Sequence, residues 1–459
     1  MLGTAMQALD AYAGPASFLT PLGYQSSSCG YCKNEDTSAA YYANTKELNV
    51  EHYQALVDRG WRRSGTLLYK PDVLRACCPH YTIRLPTVEF HPARDQRQAV
   101  SRWNKFVLGE PYISEAKKRY PKSKEDKTRQ RNTFDLFEAV HEAEYSNLKR
   151  PPEPAHRFEV TLEPDNFTEE KFQLFSNYQQ AVHHDKPEEV TRKGFTRFLC
   201  DSPLRHHRSD KDSTAAKLGS FHQCYRLDGR LIAIAVLDLL PHAVSGVYFI
   251  YHSDFEKYSF GKISALREAA LAEELGLEYY YMGFYIHNCR KMRYKGDYRP
   301  QYVLDPESYE WAVLDDELRA LMDEKKYVSM ARENKLKKRQ TDVAGGDTPM
   351  RGAEATDVEE EWKFSSSPAR AAQAADEGVS ILDLGMPGVP SPSELLEKFD
   401  LDNIQMAVPQ AGLIVKMTDL VAWEQGAVTD KRSLKGHISE LVACVGPEVA
   451  GEMVVKLTI

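Results

Sequence analysis

The apolar positions of this chain fall into short runs with a period of two in some stretches and a period near 3.6 in others, so the expected class is α+β. Before residue 110, "RSGTLLYKP" (63–71) and "YTIRLPTVEF" (81–90) read as strands, and "ARDQRQAVSRWNKFVLG" (93–109) reads as a helix closing on a glycine. Residues 157–164 predict another strand, and residues 168–183 predict a helix opening on the N-cap Thr168. The segment 220–241 is two strand-like runs divided by Asp228-Gly229, a strong hairpin signal, and 245–254 adds a third strand. Residues 259–276 carry Ile263, Leu266 and Ala270 on one helical face, and 278–286 returns as a strand.

At 459 residues the chain exceeds what one core usually fills, so the pattern divides into parts. These are an amino-terminal metal-binding and recognition domain (1–110), a basic linker (111–150), a catalytic domain (151–330), a low-complexity linker (331–380) and a carboxyl-terminal extension (381–459). Residues 116–132 are dense in lysine and arginine and poor in apolar residues, which predicts an exposed loop able to touch phosphate. A meander of strands, a helix and a returning strand is the order of a GCN5-related acyltransferase core, an order shared with other α+β folds. That superfamily's coenzyme A cradle is a glycine-rich loop at a helix start, whereas only Gly261 lies between Tyr251 and Leu266.

Net charge is −8, which argues against a surface that is basic throughout and leaves room for a local basic groove. The first residues lack the basic lead of a signal peptide and no window is apolar enough to span a bilayer. The expectation is a protein of the cytoplasm, and of the nucleus as well, with no membrane partner. Its eight cysteines then point to metal ligation or burial rather than disulfides.

Cys29-x-x-Cys32 and the adjacent Cys77-Cys78 lie in the same predicted domain, and two such pairs can complete a four-thiolate site. Neighbouring thiolates strain one tetrahedral ion, which leaves a zinc site using His80 in place of Cys78, or an iron–sulfur cluster. Burial of the thiols as small apolar groups is the structural alternative. Further on, residues 279–305 interleave Arg290, Lys291, Arg293 and Lys295 with Tyr294, a pattern suited to phosphates and an unstacked base, and also found in solvated loops.

The segments "SCGYCK", "CCPHYTIRL", "GSFHQCYRLDGRLIAIAVLDLLP" and "YYYMGFYIHNCRKMRYKGDYRPQYVLD" resemble the signature blocks of eukaryotic, fungal-type arginyl-tRNA:protein transferases, over roughly residues 20–315. The resemblance implies an aminoacyltransferase that moves arginine from arginyl-tRNA to an amino-terminal Asp, Glu or oxidised Cys. That mark routes proteins to ubiquitin-dependent degradation through the N-degron pathway, and so implies ubiquitin-ligase partners. It also implies a zinc or iron–sulfur centre and no nucleotide cofactor. Asp238, His222 and Gln223 are then the catalytic candidates, with Asp238 engaging the arginine side chain or the attacking amine. Arg84, Arg94, Arg97 and Tyr248 are candidates for the acceptor peptide, because a guanidinium holds a carboxylate in a bidentate fork. Arg290, Lys291, Arg293, Tyr294 and Lys295 are candidates for the tRNA acceptor end. The alternatives are an acetyl-coenzyme A-dependent N-acetyltransferase and a catalytically silent, metal-stabilised RNA-binding adaptor.

Overall fold

The computed structural model describes residues 7–8, 17–204, 218–343 and 363–457. Two eight-stranded mixed sheets form its frame. The first runs Gln7–Ala8, Leu413–Lys416, Gln405–Val408, Val454–Lys456, Phe18–Ser27, Ser38–Glu47, Leu67–Pro71, Arg62–Ser64. The second runs Trp311–Val313, Tyr302–Leu304, Tyr81–Pro86, Tyr279–Tyr285, Ala243–Tyr251, Arg230–Leu240, Gly219–Leu227, Phe158–Pro164. The fold is thus mixed α and β, as the apolar pattern predicts.

The strand order does not follow the expected boundaries at residues 110 and 381. Tyr81–Pro86 leaves the amino-terminal part and pairs with Tyr279–Tyr285, while the extension adds three strands to the first sheet. Both shifts have one cause. Edge strands expose unpaired backbone groups, and distant segments of the chain cover them. Strand Phe18–Ser27 gains Val454–Lys456 as a parallel neighbour, and the helix Leu434–Val445 packs with it in a core that includes Leu19, Tyr41, Trp61, Leu441 and Val455. Trp61 donates its indole N–H to the Cys444 carbonyl at 3.0 Å.

The hairpin at Asp228-Gly229 forms as expected, with φ of 52° and 83° at the two turn residues. The helix Phe260–Glu274 lies across the second sheet, and the ring of Trp103 sits 4.8 to 6.1 Å from Phe158, Phe255, Tyr258 and Phe260. The basic stretch is not a loop: Arg94–Arg119 runs through a break at Gly109, and Lys124–Asn132 is a helix capped by Ser123. The capping hydroxyl, two acids in the first turn and helix-favouring Lys, Arg and Gln outweigh the missing apolar face. Part of the expected low-complexity linker lies outside the described residues; helices Met330–Val343 and Pro368–Glu377 flank it.

Candidate active site where two strands part

The second sheet holds one parallel pair. Strands Ala243–Tyr251 and Tyr279–Tyr285 are in register at Ala243/Tyr279, Val244/Tyr280 and Ser245/Tyr281, and the pairing ends there. Each strand carries an irregularity just beyond, between Gly246 and Tyr248 and between Tyr281 and Phe284, with Gly283 at a φ of 75°. Bulges bend strands and re-aim side chains, so the pair opens into a wedge.

Lys295 fills the base of this wedge. Its ammonium donates to the carbonyls of Met282 at 2.8 Å and Phe284 at 3.1 Å. Burial, with the nearby Arg62 charge, lowers its pKa to about 8. Arg62 is buried, donates to the Trp61 carbonyl at 2.7 Å and lies 5.1 Å from the Phe284 ring centre. Beneath the wedge, burial raises Glu268 to about 7. Its carboxylate accepts from the Ser264 hydroxyl and, at 2.5 Å, from the Tyr280 hydroxyl. A Cβ on Gly246 would stand 3.2 Å from that carboxylate, so the glycine admits the acid to the strand backbone.

At the mouth, the hydroxyl of Tyr248 meets His183 Nε2 at 3.0 Å, and the Tyr178 ring is set edge-on to Tyr248 and Tyr251. His183 lies in a π-helical turn, Gln179–His183, a local widening common at functional positions. Burial lowers its pKa, and the charges of Lys291 and Lys33 push the same way against Asp185. A lysine beside Cys32 and one in the short helix Arg290–Arg293 therefore bear on one imidazole.

The cysteine centre adjoins this wedge. The sulfurs of Cys29, Cys32, Cys77 and Cys78 all lie within 4.8 Å of one another, with Cys32 and Cys77 at 3.3 Å. A tetrahedral thiolate site with metal–sulfur bonds of about 2.3 Å has sulfurs about 3.8 Å apart, so the four residues fit a metal without large rearrangement. Cys29 and Cys78 are buried and pack with Ile286, and with the partly buried Cys289 and Met292, just past the Tyr279–Tyr285 strand. His80 stands outside the thiol group, its ring 5.1 Å from Tyr31 and 5.4 Å from Phe284, and burial lowers its pKa to about 4.

The other expected site residues are scattered. Asp238 has no solvent exposure and forms a two-pronged ion pair with Arg63, at 2.6 and 2.8 Å, while also accepting from Ser220 at 2.6 Å. Three of its roughly four acceptor positions are thus taken by these internal partners. His222 is buried with Nε2 2.9 Å from the Leu199 carbonyl, and burial lowers it to about 4. Gln223 accepts from the Tyr225 hydroxyl at 2.9 Å on the opposite face of the same strand. Arg84 lies flat between Tyr279 and Trp311, at 3.8 and 4.0 Å from their ring centres. Arg94 and Arg97 line a separate groove beside Phe134 and Glu138. Tyr294, Arg290, Lys291 and Arg293 are exposed near the wedge, and Arg293 pairs with Asp323 at 3.2 Å.

Arg62, Glu268 and Lys33 belong to this region and were not singled out from the sequence. Lys33 directly follows Cys32, a legible signal. Arg62 and Glu268 gain meaning only from the strands that surround them.

A parallel pair that parts between cations thus lies beside four clustered thiols that could hold a metal ion, a candidate site for group transfer. The amino-terminal model of the arginine-tRNA-protein transferase family matches residues 27–98, which hold all four cysteines, and the carboxyl-terminal model matches 170–305, which hold the wedge. Arginyl-tRNA–protein transferase 1 of Drosophila melanogaster is 30% identical, over 68% of this chain and 85% of its own length. Arginyl-tRNA–protein transferase 2 of Arabidopsis thaliana is 28% identical, over 70% and 79%. An aspartate/glutamate leucyltransferase of Pseudomonas fluorescens is 31% identical, over 63% of this chain and 94% of its own. The chain belongs to the arginyl-tRNA–protein transferase family, and is an enzyme of the transferase class. Among the described residues no helix is long and apolar enough to cross a membrane.

Proposed function

We propose that this enzyme transfers arginine from arginyl-tRNA to the α-amine of proteins that begin with Asp, Glu or oxidised Cys, and that the product is delivered to ubiquitin-dependent degradation from the cytoplasm or nucleus. One observation carries the reading. The two family-matched segments meet in space, where Cys29 and Cys78 pack on Ile286 and Cys289 at the end of the parted strand.

The donor ester is already activated, so the chain's task is to position it and stabilise charge. A peptide α-amine, with an ordinary pKa of about 8, attacks the ester carbonyl once deprotonated. The C–N bond forms, oxygen takes the negative charge, and collapse expels the ribose oxygen, which takes a proton. Lys295 and Arg62 bring positive potential to the wedge where that oxygen charge develops, and Lys291, Arg290 and Tyr294 meet the acceptor end of the tRNA. Arg84, already stacked between two rings, is assigned to the acidic acceptor residue.

Cys29, Cys32, Cys77 and Cys78 would hold the metal, which supplies a structural cross-link between the two loops that carry them. Close sulfur spacing favours a zinc ion, and the adjacent Cys77-Cys78 pair favours an iron–sulfur cluster. Iron, sulfide and zinc analysis of an anaerobic preparation decides between them, and Cys29→Ser should lower the content of either.

The deciding assay supplies labelled arginyl-tRNA, leucyl-tRNA or acetyl-coenzyme A to peptides beginning with Asp or Ala. Arginine transfer to the Asp peptide alone is expected. Leucine transfer would move the chain's donor choice to that of the Pseudomonas relative's name, and tRNA binding without turnover would remove the enzyme reading.

A further inference from the structure

Behind the wedge, a small enclosure lies where the Leu67–Pro71 and Tyr81–Pro86 strands meet the 304–309 turn and Pro387 of the extension. It is lined by Lys70, Arg59, His80, Thr82 and Tyr309, with no carboxylate among its lining residues. About 20 Å³ of it is open to the centre of a water-sized sphere, room for a single water or monatomic ion.

Within this lining the charges are unbalanced, although Arg59 also borders a second cavity that Glu51, Asp58 and Glu448 line. Lys70 is 4% exposed, and among the described residues its ammonium makes one hydrogen bond, to the Arg59 carbonyl at 2.5 Å. The Tyr309 ring faces both cations, 4.8 Å from the Lys70 ammonium and 4.3 Å from the Arg59 guanidinium. Neither cation forms an ion pair among the described residues. The nearest acids in sequence are committed elsewhere: Asp72 to Arg75 at 3.0 Å, and Asp58 to the Tyr281 hydroxyl and the Gln54 amide. Two further buried polar atoms, Thr82 Oγ1 and His80 Nδ1, have no partner among the described residues. A cation–π contact offsets only part of what burying an ammonium costs, and orphaned polar atoms add to that cost.

We propose that this enclosure is an anion site that takes one chloride-sized monovalent anion between Lys70, Arg59 and Thr82. The anion supplies the missing negative charge and accepts from the ammonium and the threonine hydroxyl. A phosphate is too large for the space. The site joins three parts of the molecule, the strand leading into the cysteine centre, the second sheet and the extension, so its occupancy bears on the stability of their junction.

The test uses the full, metal-loaded chain at fixed ionic strength in sodium chloride, bromide or gluconate. Thermal unfolding should shift upward by a few degrees, saturably, with chloride and bromide against gluconate, and a bromide-soaked crystal should give an anomalous peak beside Lys70. Lys70→Met should abolish the halide response, and Thr82→Val should weaken it several-fold if the methionine variant does not fold. Identical unfolding in all three salts, or a water with no anomalous signal at the position, overturns the proposal. None of these readouts depends on aminoacyl transfer, so the result stands apart from the assignment of activity.

Discussion

Arg63 and Asp238 form a two-pronged ion pair, 2.6 and 2.8 Å, with side chains 2% and 0% exposed, and this pair joins the edge strand of the first sheet to the second. Ser220 completes it by donating to Asp238, and the Ser202 hydroxyl lies 2.5 Å from that of Ser220. Breaking one side of such a pair leaves a buried charge without compensation. Asp238→Ala should therefore cost about 3–5 kcal/mol of stability. Denaturant unfolding measures it, and a variant that keeps its stability but loses transfer would restore Asp238 to a direct role in the reaction.

Glu268 should make native stability depend on pH in an identifiable window. Its carboxyl is raised from 4.5 to about 7 by burial, so the folded state holds a proton that the unfolded state has released. The stability due to this group is fully present below pH 4.5 and is lost as pH rises through 7. Glu268→Gln keeps a neutral group of similar shape and should remove that slope. Chemical denaturation at pH 5 and pH 8 for both proteins checks it, and parallel slopes would refute the assignment.

Lys33 and Lys291 should act on tRNA rather than on the acceptor peptide. Each alanine variant is expected to weaken tRNA binding and reduce the salt slope by about one, with the KM for the peptide unchanged. Arg84→Ala should show the reverse, a raised KM for Asp-peptides at unchanged tRNA affinity. Filter binding at several salt concentrations, run beside steady-state transfer, separates the two groups.

Removing residues 363–457 should unfold the amino-terminal sheet rather than trim an appendage. The deletion would strip Val454–Lys456 from Phe18–Ser27, uncover Leu19, Tyr41 and Trp61, and leave the Trp61 indole without its Cys444 partner. Poor recovery of soluble protein, with rescue by supplying the extension as a separate chain, is the expected outcome. A stable truncated protein with intact amide protection in Phe18–Ser27 would contradict it.

Local chemistry wrote much of this molecule into its sequence. The Asp228-Gly229 turn, the Phe260–Glu274 helix and the alternating strands depend on neighbours a few positions away, whereas the two cysteine pairs, 45 residues apart, are brought together only by the fold. The order of strands in the sheets depends instead on long-range pairing, which leaves little trace in periodicity. That is why Tyr81–Pro86 and the last strand settle beside partners roughly 200 and 400 residues away. The same reason separates the two aspects of the site. Residue types named the cations and thiols, but only tertiary contact decided that Asp238 is spent on Arg63, that Lys295 occupies the base of the parted strands, and that Glu268 lies buried beneath it.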